Sequence, residues 1–239
     1  MWFLTAAAAL VITMLGSGMT PVRAATSPAN GSSTDTLFVD YFTLSPDPAW
    51  TFVNRAGKVA GGRLVIAGDY LPGPRPSRDG WAMTHVGLKT WRDYRFSATY
   101  DSSNVGGDPA GVHMANLFFR VVTSGKRGYG TYYRIGIWDP EQPDPTGFTN
   151  NLPRGLVVFE RYKQGNYSQL KLQYNSATVT GSNQVDVAVK GARVTCAVNG
   201  QRIFTMVDPN PIRYGGVGLG AIWETNGSFD NVVVRQLSD

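Results

Sequence analysis

The fold is decided by one stretch, VTCAVNGQRIFTM at residues 194–206, in which two runs of alternating apolar and polar residues flank an Asn-Gly pair. Asn-Gly favours a type I′ turn, because both residues tolerate the positive φ angles that this turn requires. A two-residue loop would pair Val198 with Gln201 and Cys196 with Ile203. The stretch therefore predicts a β-hairpin.

The same period-two alternation recurs along the chain and predicts further strands. It places Tyr94, Phe96, Ala98 and Tyr100 on one face, and it aligns Val185, Val187 and Val189. The 28 glycines and 14 prolines disfavour long helices. Many short strands predict an all-β protein of two packed antiparallel sheets. The candidate strands are residues 63–67, 81–87, 94–100, 113–123, 130–138, 154–162, 167–174, 185–189, 194–198, 201–206, 217–223 and 229–234.

The first 24 residues are typical of a secretory signal peptide. An apolar run from Phe3 to Leu15 ends at glycine and proline, and Val22-Arg23-Ala24 places small residues at the peptidase positions. A membrane anchor is the alternative, but the run is shorter than the ~20 residues that span a bilayer. Residues 25–36 are interpreted as a flexible leader and 37–239 as a single domain. The chain is therefore expected to be secreted or periplasmic, without a stable membrane anchor.

Cys196 is the only cysteine, so no internal disulfide can form. Alternation places it on a face with Val194 and Val198, which predicts a buried structural thiol. A nucleophilic cysteine would need a histidine base, and the chain has only His85 and His113.

The chain has a formal net charge of +5. Between Arg120 and Lys171, eight basic residues are accompanied by four acidic ones. This excess fits an acidic glycan as partner, but an ordinary solvated basic face is the favoured interpretation. Export argues against nucleic acid as a partner. The oligomeric state is not indicated by the sequence.

Several short motifs follow one another in a familiar order. They are Asp40-Tyr41-Phe42, Trp50, Gly61-Gly62-Arg63-Leu64, Trp91-Arg92-Asp93-Tyr94, Asn116-Leu117-Phe118-Phe119-Arg120, Gly128-Tyr129-Gly130-Thr131-Tyr132-Tyr133, the Asn199-Gly200 hairpin, Gly216-Val217-Gly218-Leu219 and Phe229-Asp230-Asn231-Val232. This order resembles the 3-keto-disaccharide hydrolase-like family within the concanavalin-like and laminin-G-like jelly rolls. The resemblance implies a two-sheet antiparallel β-jelly-roll sandwich, concanavalin A-like, that acts on sugars. Only Arg120 is carried over from the family's third motif, because Met114-Ala115-Asn116 replaces its Asn-Ser-Gly run.

Glycoside hydrolysis uses two carboxyl groups on opposite sides of the scissile bond. The acids on candidate strands are Glu160, Asp186, Glu224 and Asp230. Asp186 lies opposite a valine-lined face, and Asp230 is interpreted as structural or calcium-binding. Glu160 and Glu224 are therefore the candidate catalytic pair, with Arg120 as a third catalytic candidate.

Candidate substrate-binding residues are polar or aromatic, because sugar hydroxyls need fixed polar partners and sugar C–H faces stack on rings. They are Asn116, Tyr133, Trp138, Tyr162 and Trp223. Alternation places Val158, Glu160 and Tyr162 on one face. It likewise places Met114, Asn116, Phe118 and Arg120 together.

No His/Cys/Asp cluster has metal-ligand spacing, so no cofactor is expected beyond a calcium ion at Asp40 and Asp230. The leading hypothesis is an exported carbohydrate-active protein that hydrolyses or cleaves a glycoside on a concave sheet face. One alternative is a non-catalytic, lectin-like glycan-binding module. Another is a surface interaction domain of laminin-G type. Whether the chain is an enzyme is left open, with glycoside hydrolase or lyase as the favoured class.

Overall fold

The computed structural model describes residues 35–53, 57–67, 81–87, 89–101, 114–123, 130–138, 155–222 and 226–238. None of these residues is helical, and no membrane-crossing helix is found among them. The predicted signal peptide and most of the predicted leader lie outside the described residues, so both stay predictions.

The described residues form fifteen strands. They are β1 (Thr36–Asp40), β2 (Thr51–Val53), β3 (Lys58–Ala60), β4 (Arg63–Ala67), β5 (Trp81–Val86), β6 (Tyr94–Asp101), β7 (Met114–Thr123), β8 (Thr131–Trp138), β9 (Leu156–Lys163), β10 (Asn166–Tyr174), β11 (Ser182–Lys190), β12 (Arg193–Val198), β13 (Gln201–Val207), β14 (Gly216–Ile222) and β15 (Asn226–Gln236).

The strands make two antiparallel sheets. Sheet A has the order β13-β12-β11-β6-β15-β4-β3, and β1 also pairs with β15. Sheet B has the order β10-β9-β8-β7-β14-β5-β2. The all-β prediction and its two packed sheets are confirmed. The short strands β1, β2 and β3 were not among the predicted ones, because three to five residues carry too little alternation to be recognised.

The predicted hairpin is present as β12 and β13. Asn199 has φ 49° and Gly200 has φ 78°, as a type I′ turn requires. Val198 pairs with Gln201 as expected, but Cys196 pairs with Phe204 rather than Ile203. The predicted Cys196–Ile203 pair is wrong because a β-bulge between Cys196 and Ala197 adds one residue to β13.

The core lies between the two sheets and is filled by the inward residues of both. Tyr94, Phe96, Ala98 and Tyr100 are buried there, which confirms the predicted alternation of β6. Cys196 is fully buried, and burial raises the pKa of its thiol to about 12. It is therefore a structural thiol, as predicted.

Arg120 ties the end of sheet B to sheet A. Its Nη1 donates to the carbonyl oxygens of Gly191 (2.8 Å) and Ile212 (2.5 Å). Its Nη2 donates to Arg92 O (2.9 Å) and Asp93 Oδ1 (3.1 Å). Arg120 has φ 49°, and the pairing of β7 with β8 shifts register between Phe119 and Thr123. This irregularity breaks the alternation, so the expectation that Arg120 shares a face with Asn116 is wrong.

A second link between distant segments is centred on Asp208, which follows β13. Its carboxylate accepts hydrogen bonds from the Tyr133 hydroxyl (2.6 Å), the Arg161 guanidinium (2.5 Å) and the Asn210 N–H (2.9 Å). Burial raises the pKa of the Asp208 carboxyl. The three donors together lower this pKa by more than burial raises it, so the net shift is downward. The carboxylate is therefore held in its charged form.

Candidate functional site

Charged and polar side chains lie on the outer face of sheet B, the face turned away from the core. In β8, Tyr133, Ile135 and Ile137 belong to the core, which places Arg134 on the outer face. In β9, Val157 and Phe159 belong to the core, which places Glu160 there as well. These two strands are neighbours, and Arg134 pairs directly with Glu160.

Arg134 and Glu160 form an ion pair at the centre of this face. Glu160 Oε2 lies 2.5 Å from Arg134 Nε, and each side chain is only 6% exposed. Arg134 Nη1 also donates to Asn116 Oδ1 (2.8 Å) on β7. On the other side, the hydroxyl groups of Tyr162 and Tyr167 donate to Glu160 at 3.4 Å and 3.0 Å. We call these five residues the polar cluster.

Gly136 provides the space in which the Arg134 side chain reaches Asn116. A Cβ at this position would lie 3.2 Å from Met114 Sδ, 3.4 Å from Asn116 Oδ1 and 3.6 Å from Arg134 Nη1. The guanidinium therefore lies over the backbone of Gly136, next to the side chain of its β7 partner.

Aromatic rings border the polar cluster on one side. Tyr132 stacks on Tyr162 with ring centroids 5.0 Å apart, and Phe118 meets Tyr132 edge-on at 5.3 Å. Tyr167 lies beside Tyr162 at 5.4 Å. Burial, the charge of Glu160 and its hydrogen bond raise the pKa of Tyr167 to about 12, so its hydroxyl remains a donor at neutral pH.

The edge strand β10 exposes large apolar side chains beside this cluster. Tyr167, Leu172 and Tyr174 are 52%, 47% and 54% exposed. They pair with Tyr162, Val158 and Leu156 of β9 and so share the outer face with them. The polar cluster therefore continues into an exposed row of two rings and a leucine.

The chain is similar to known proteins in structure but not in sequence. No protein-family model and no curated protein matches the sequence. The carbohydrate-binding module CBM66 from Bacillus subtilis is similar in structure, with a TM-score of 0.52, 16% identity and coverage of 81% of this chain and 99% of that one. A structure titled native glycosidic hydrolase has a TM-score of 0.55, 12% identity and coverage of 84% and 96%. The exoplasmic/lumenal domain of VIP36, bound to Ca²⁺ and mannose, has a TM-score of 0.53, 11% identity and coverage of 81% and 85%.

The fold is a two-sheet β-jelly roll. At these identities the likeness establishes the fold alone. It agrees with the predicted concanavalin-like architecture.

Three of the predicted site residues meet in this jelly roll. Glu160, Asn116 and Tyr162 are all members of the polar cluster. Trp138 lies on the same face, where it is buried and pairs with Met114. Glu224 and Trp223 lie outside the described residues, so their roles stay predictions.

Two other predicted site residues lie elsewhere. Tyr133 faces the core, where its hydroxyl bonds to Asp208 and accepts from the Ile212 N–H, so it does not reach the outer face. Alternation with Ile135 and Ile137 assigns it to the core. The Arg120 guanidinium is bound to Gly191, Ile212, Arg92 and Asp93 and so lies away from the polar cluster.

The predicted calcium residues are engaged by the backbone around them. Asp40 accepts from the N–H groups of Phe42 and Asp47 and from Trp50 Nε1, each at 2.8 Å. Asp230 accepts from the Asn231 N–H at 2.7 Å. In the part of the chain that the structure describes, no group of three or more His, Cys, Asp or Glu could hold a metal. A calcium ion at Asp40 and Asp230 therefore stays a prediction.

Sequence analysis missed Arg134, Tyr167 and Gln169. The pattern Tyr133-Ile135-Ile137 already indicates the core face of β8 and therefore places Arg134 opposite it. Tyr167 and Gln169 face Tyr162 and Glu160 across β9 and β10. Their proximity depends on the register of the β9–β10 hairpin, which could not be predicted from the sequence of its turn.

Proposed function

We propose that this jelly roll binds a saccharide on the outer face of sheet B, at the polar cluster and along β10. The observation that carries the proposal is the Arg134–Glu160 pair and its position next to the exposed ring of Tyr167. Arg134 also donates a hydrogen bond to Asn116, and Glu160 also accepts one from the Tyr167 hydroxyl. A saccharide offers hydroxyls to the first feature and apolar C–H faces to the second. Together the two features supply the polar and the apolar contacts that a sugar ring can make.

The hydrogen-bonding capacity of Glu160 supports this role. A carboxylate has about four acceptor sites. Glu160 is itself buried, but its Oε1 accepts from Tyr167, whose ring is half exposed, so a sugar hydroxyl can replace that donor when the ring moves aside. Gln169 pairs with Glu160 across β9 and β10 and adds an exposed amide on the same side.

The similar structures are consistent with this class of ligand. One of them is a carbohydrate-binding module and another is a mannose-bound domain. These ligands belong to those proteins, and here they support only the choice of saccharides as probes. The resemblance to the 3-keto-disaccharide hydrolase-like family points to the same class.

Binding is favoured over hydrolysis by the number of carboxylates on the described face. Among the residues that the structure describes, Glu160 is the only acidic one in the strands of sheet B. A glycosidase needs a second carboxyl group about 5–9.5 Å away. Glu224 is the residue predicted for that role, and hydrolysis depends on it.

The signal peptide predicted at residues 1–24 would place this binding outside the cytoplasm. N-terminal sequencing of the chain recovered from the medium or periplasm tests the export proposal. A mature chain that begins at Ala25 is expected, and a chain retained in the cytoplasm with Met1 would contradict it.

The binding experiment is a glycan array followed by calorimetry on the best oligosaccharide. We expect Tyr167→Ala to weaken binding at least ~tenfold, equivalent to about 1.4 kcal/mol. Tyr41→Ala is the matched control, because Tyr41 is 54% exposed but follows β1 of sheet A. Equal losses in the two variants, or no glycan binding by the wild type, would overturn the proposal. A hydrolysis assay on the same oligosaccharide, with Glu160→Gln and Glu224→Gln, tests the enzymatic alternative.

A further inference from the structure

Four basic side chains are exposed at one end of the outer face of sheet A. They are Arg95 on β6, Lys190 on β11, Arg193 on β12 and Arg235 on β15. Each follows or precedes a core residue in its strand, so alternation turns all four away from the core. We call them the basic patch.

Register brings these cations into two like-charged pairs. Arg95 lies directly opposite Arg235, and Lys190 lies directly opposite Arg193. The Cβ atoms of such pairs are roughly 4.5–5.5 Å apart, and like charges in these positions are destabilising. Arg95 pairs with Ala188, two residues from Lys190, so the two pairs are diagonal neighbours at roughly 7–8 Å. The four cations therefore form one continuous array.

No carboxylate of the described residues forms an ion pair with the arginines of this array. Lys190 Nζ donates to Ser238 O (3.0 Å), which leaves its charge in place. Asp93, just before β6, is bound by Arg120 and by the Gly191 N–H. Asp186 on the same face accepts from Ser97 and Gln184. Neither acid forms an ion pair with the basic patch, so its four cations outnumber Asp186, the one of these two acids that no arginine binds.

We propose that the basic patch binds an anionic polysaccharide through its carboxylate or sulfate groups. Guanidinium groups bind such oxyanions with two parallel hydrogen bonds, and bound anions would relieve the repulsion within each pair. The cross-strand row through Arg95 and Arg235 continues into hydroxyl-bearing residues, which suit the sugar part of the ligand. In order across the sheet, that row is Thr205, Thr195, Ala188, Arg95, Arg235 and Thr36.

The composition of this row also distinguishes among anionic partners. It contains no aromatic ring, whereas single-stranded nucleic acids are held by stacking on aromatic side chains. Anionic lipid surfaces also attract clusters of basic residues, so the vesicle probe in the test below separates them from a polysaccharide. The basic patch belongs to sheet A and the polar cluster to sheet B, so the two sites are independent. A chain with both could hold two glycans at once.

The test measures binding to dextran sulfate and to neutral dextran, with vesicles of phosphatidylserine as a third probe. We expect the wild type to bind dextran sulfate, with an affinity that falls as salt rises, and not dextran. Arg95→Glu combined with Arg193→Glu should weaken this binding by at least roughly tenfold. Lys58→Glu combined with Lys163→Glu makes the same change in net charge outside the basic patch and should alter it less than about twofold.

Three results would overturn the proposal. They are equal losses in the two double variants, equal binding of dextran and dextran sulfate, and binding to the vesicles without binding to dextran sulfate. If the first double variant unfolds, Arg235→Glu alone replaces it, since this change removes a like-charge pair.

Discussion

The carboxylate of Glu160 and the guanidinium of Arg134 lie 2.5 Å apart on the outer face of sheet B, and both side chains are almost completely buried. An exposed ion pair contributes little to stability, whereas a buried one carries two desolvated charges that depend on each other. The pair should therefore affect the free energy of unfolding, and this effect can be measured separately from its proposed role in binding.

Removing one member of this pair should destabilise the protein more than removing both. Glu160→Leu leaves the Arg134 charge buried and uncompensated, and we expect a loss of about 3–5 kcal/mol in the free energy of unfolding. Glu160→Leu combined with Arg134→Met should recover most of that loss. Urea denaturation of the two variants measures the difference, and a double variant no more stable than the single one would contradict it.

The glycines of β14 should be intolerant of any side chain. A Cβ at Gly218 would lie 2.5 Å from the carbonyl oxygen of Thr84, which is backbone and cannot move aside. Gly218→Ala should therefore cost roughly 1–3 kcal/mol or more, as overpacking does. Gly136→Ala is the matched control in the same sheet, because its nearest neighbour is the flexible Met114 sulfur at 3.2 Å. Thermal unfolding that ranks the two variants the other way would refute this account.

Arg235→Glu should stabilise the fold. Arg235 lies opposite Arg95 on the exposed face of sheet A, and the change converts a repulsive cross-strand pair into an attractive one. We expect a gain of roughly 0.2–1 kcal/mol that diminishes at high salt. Arg202→Glu, also exposed on this sheet but opposite Ala197, should give no such gain in the same melting experiment.

Stability should fall in acid through Asp208. Its folded-state pKa is lowered by Tyr133, Asn210 and Arg161 in spite of burial. A lowered pKa contributes stability that is present above the unfolded-state value, near pH 4, and is lost as pH falls through the folded-state value.

Asp208→Asn should accordingly cost about 1–3 kcal/mol at neutral pH and flatten the decline in melting temperature below about pH 4. Melting curves between pH 7 and pH 2 measure both effects. An unchanged acid slope in the variant would show that other carboxyl groups cause the decline.

Most of the fold could be predicted because its signals are local. The Asn-Gly turn and the alternation of β6, β11 and β12 depend on neighbours in the sequence. The errors occur where one residue interrupts that period. The bulge at Cys196 moved its partner to Phe204, and the irregular backbone at Arg120 turned that side chain toward sheet A.

The candidate site was predicted only in part, because it depends on contacts between strands. Asn116, Glu160 and Tyr162 were found from alternation within single strands. Arg134 and Tyr167 complete the polar cluster through cross-strand registers, which the sequence does not display. Tyr133 was selected for its chemistry although its strand's pattern assigns it to the core.

The contacts of Arg120 also affect how easily the connections at one end of the sandwich open. One side chain of sheet B holds carbonyl groups at Arg92, Gly191 and Ile212, which belong to three connections far apart in the sequence. Because these connections share one anchor, opening any one of them leaves a buried N–H of Arg120 without its acceptor. The three connections at this end of the sandwich should therefore each resist proteases, and removal of the Arg120 side chain should expose all three to cleavage.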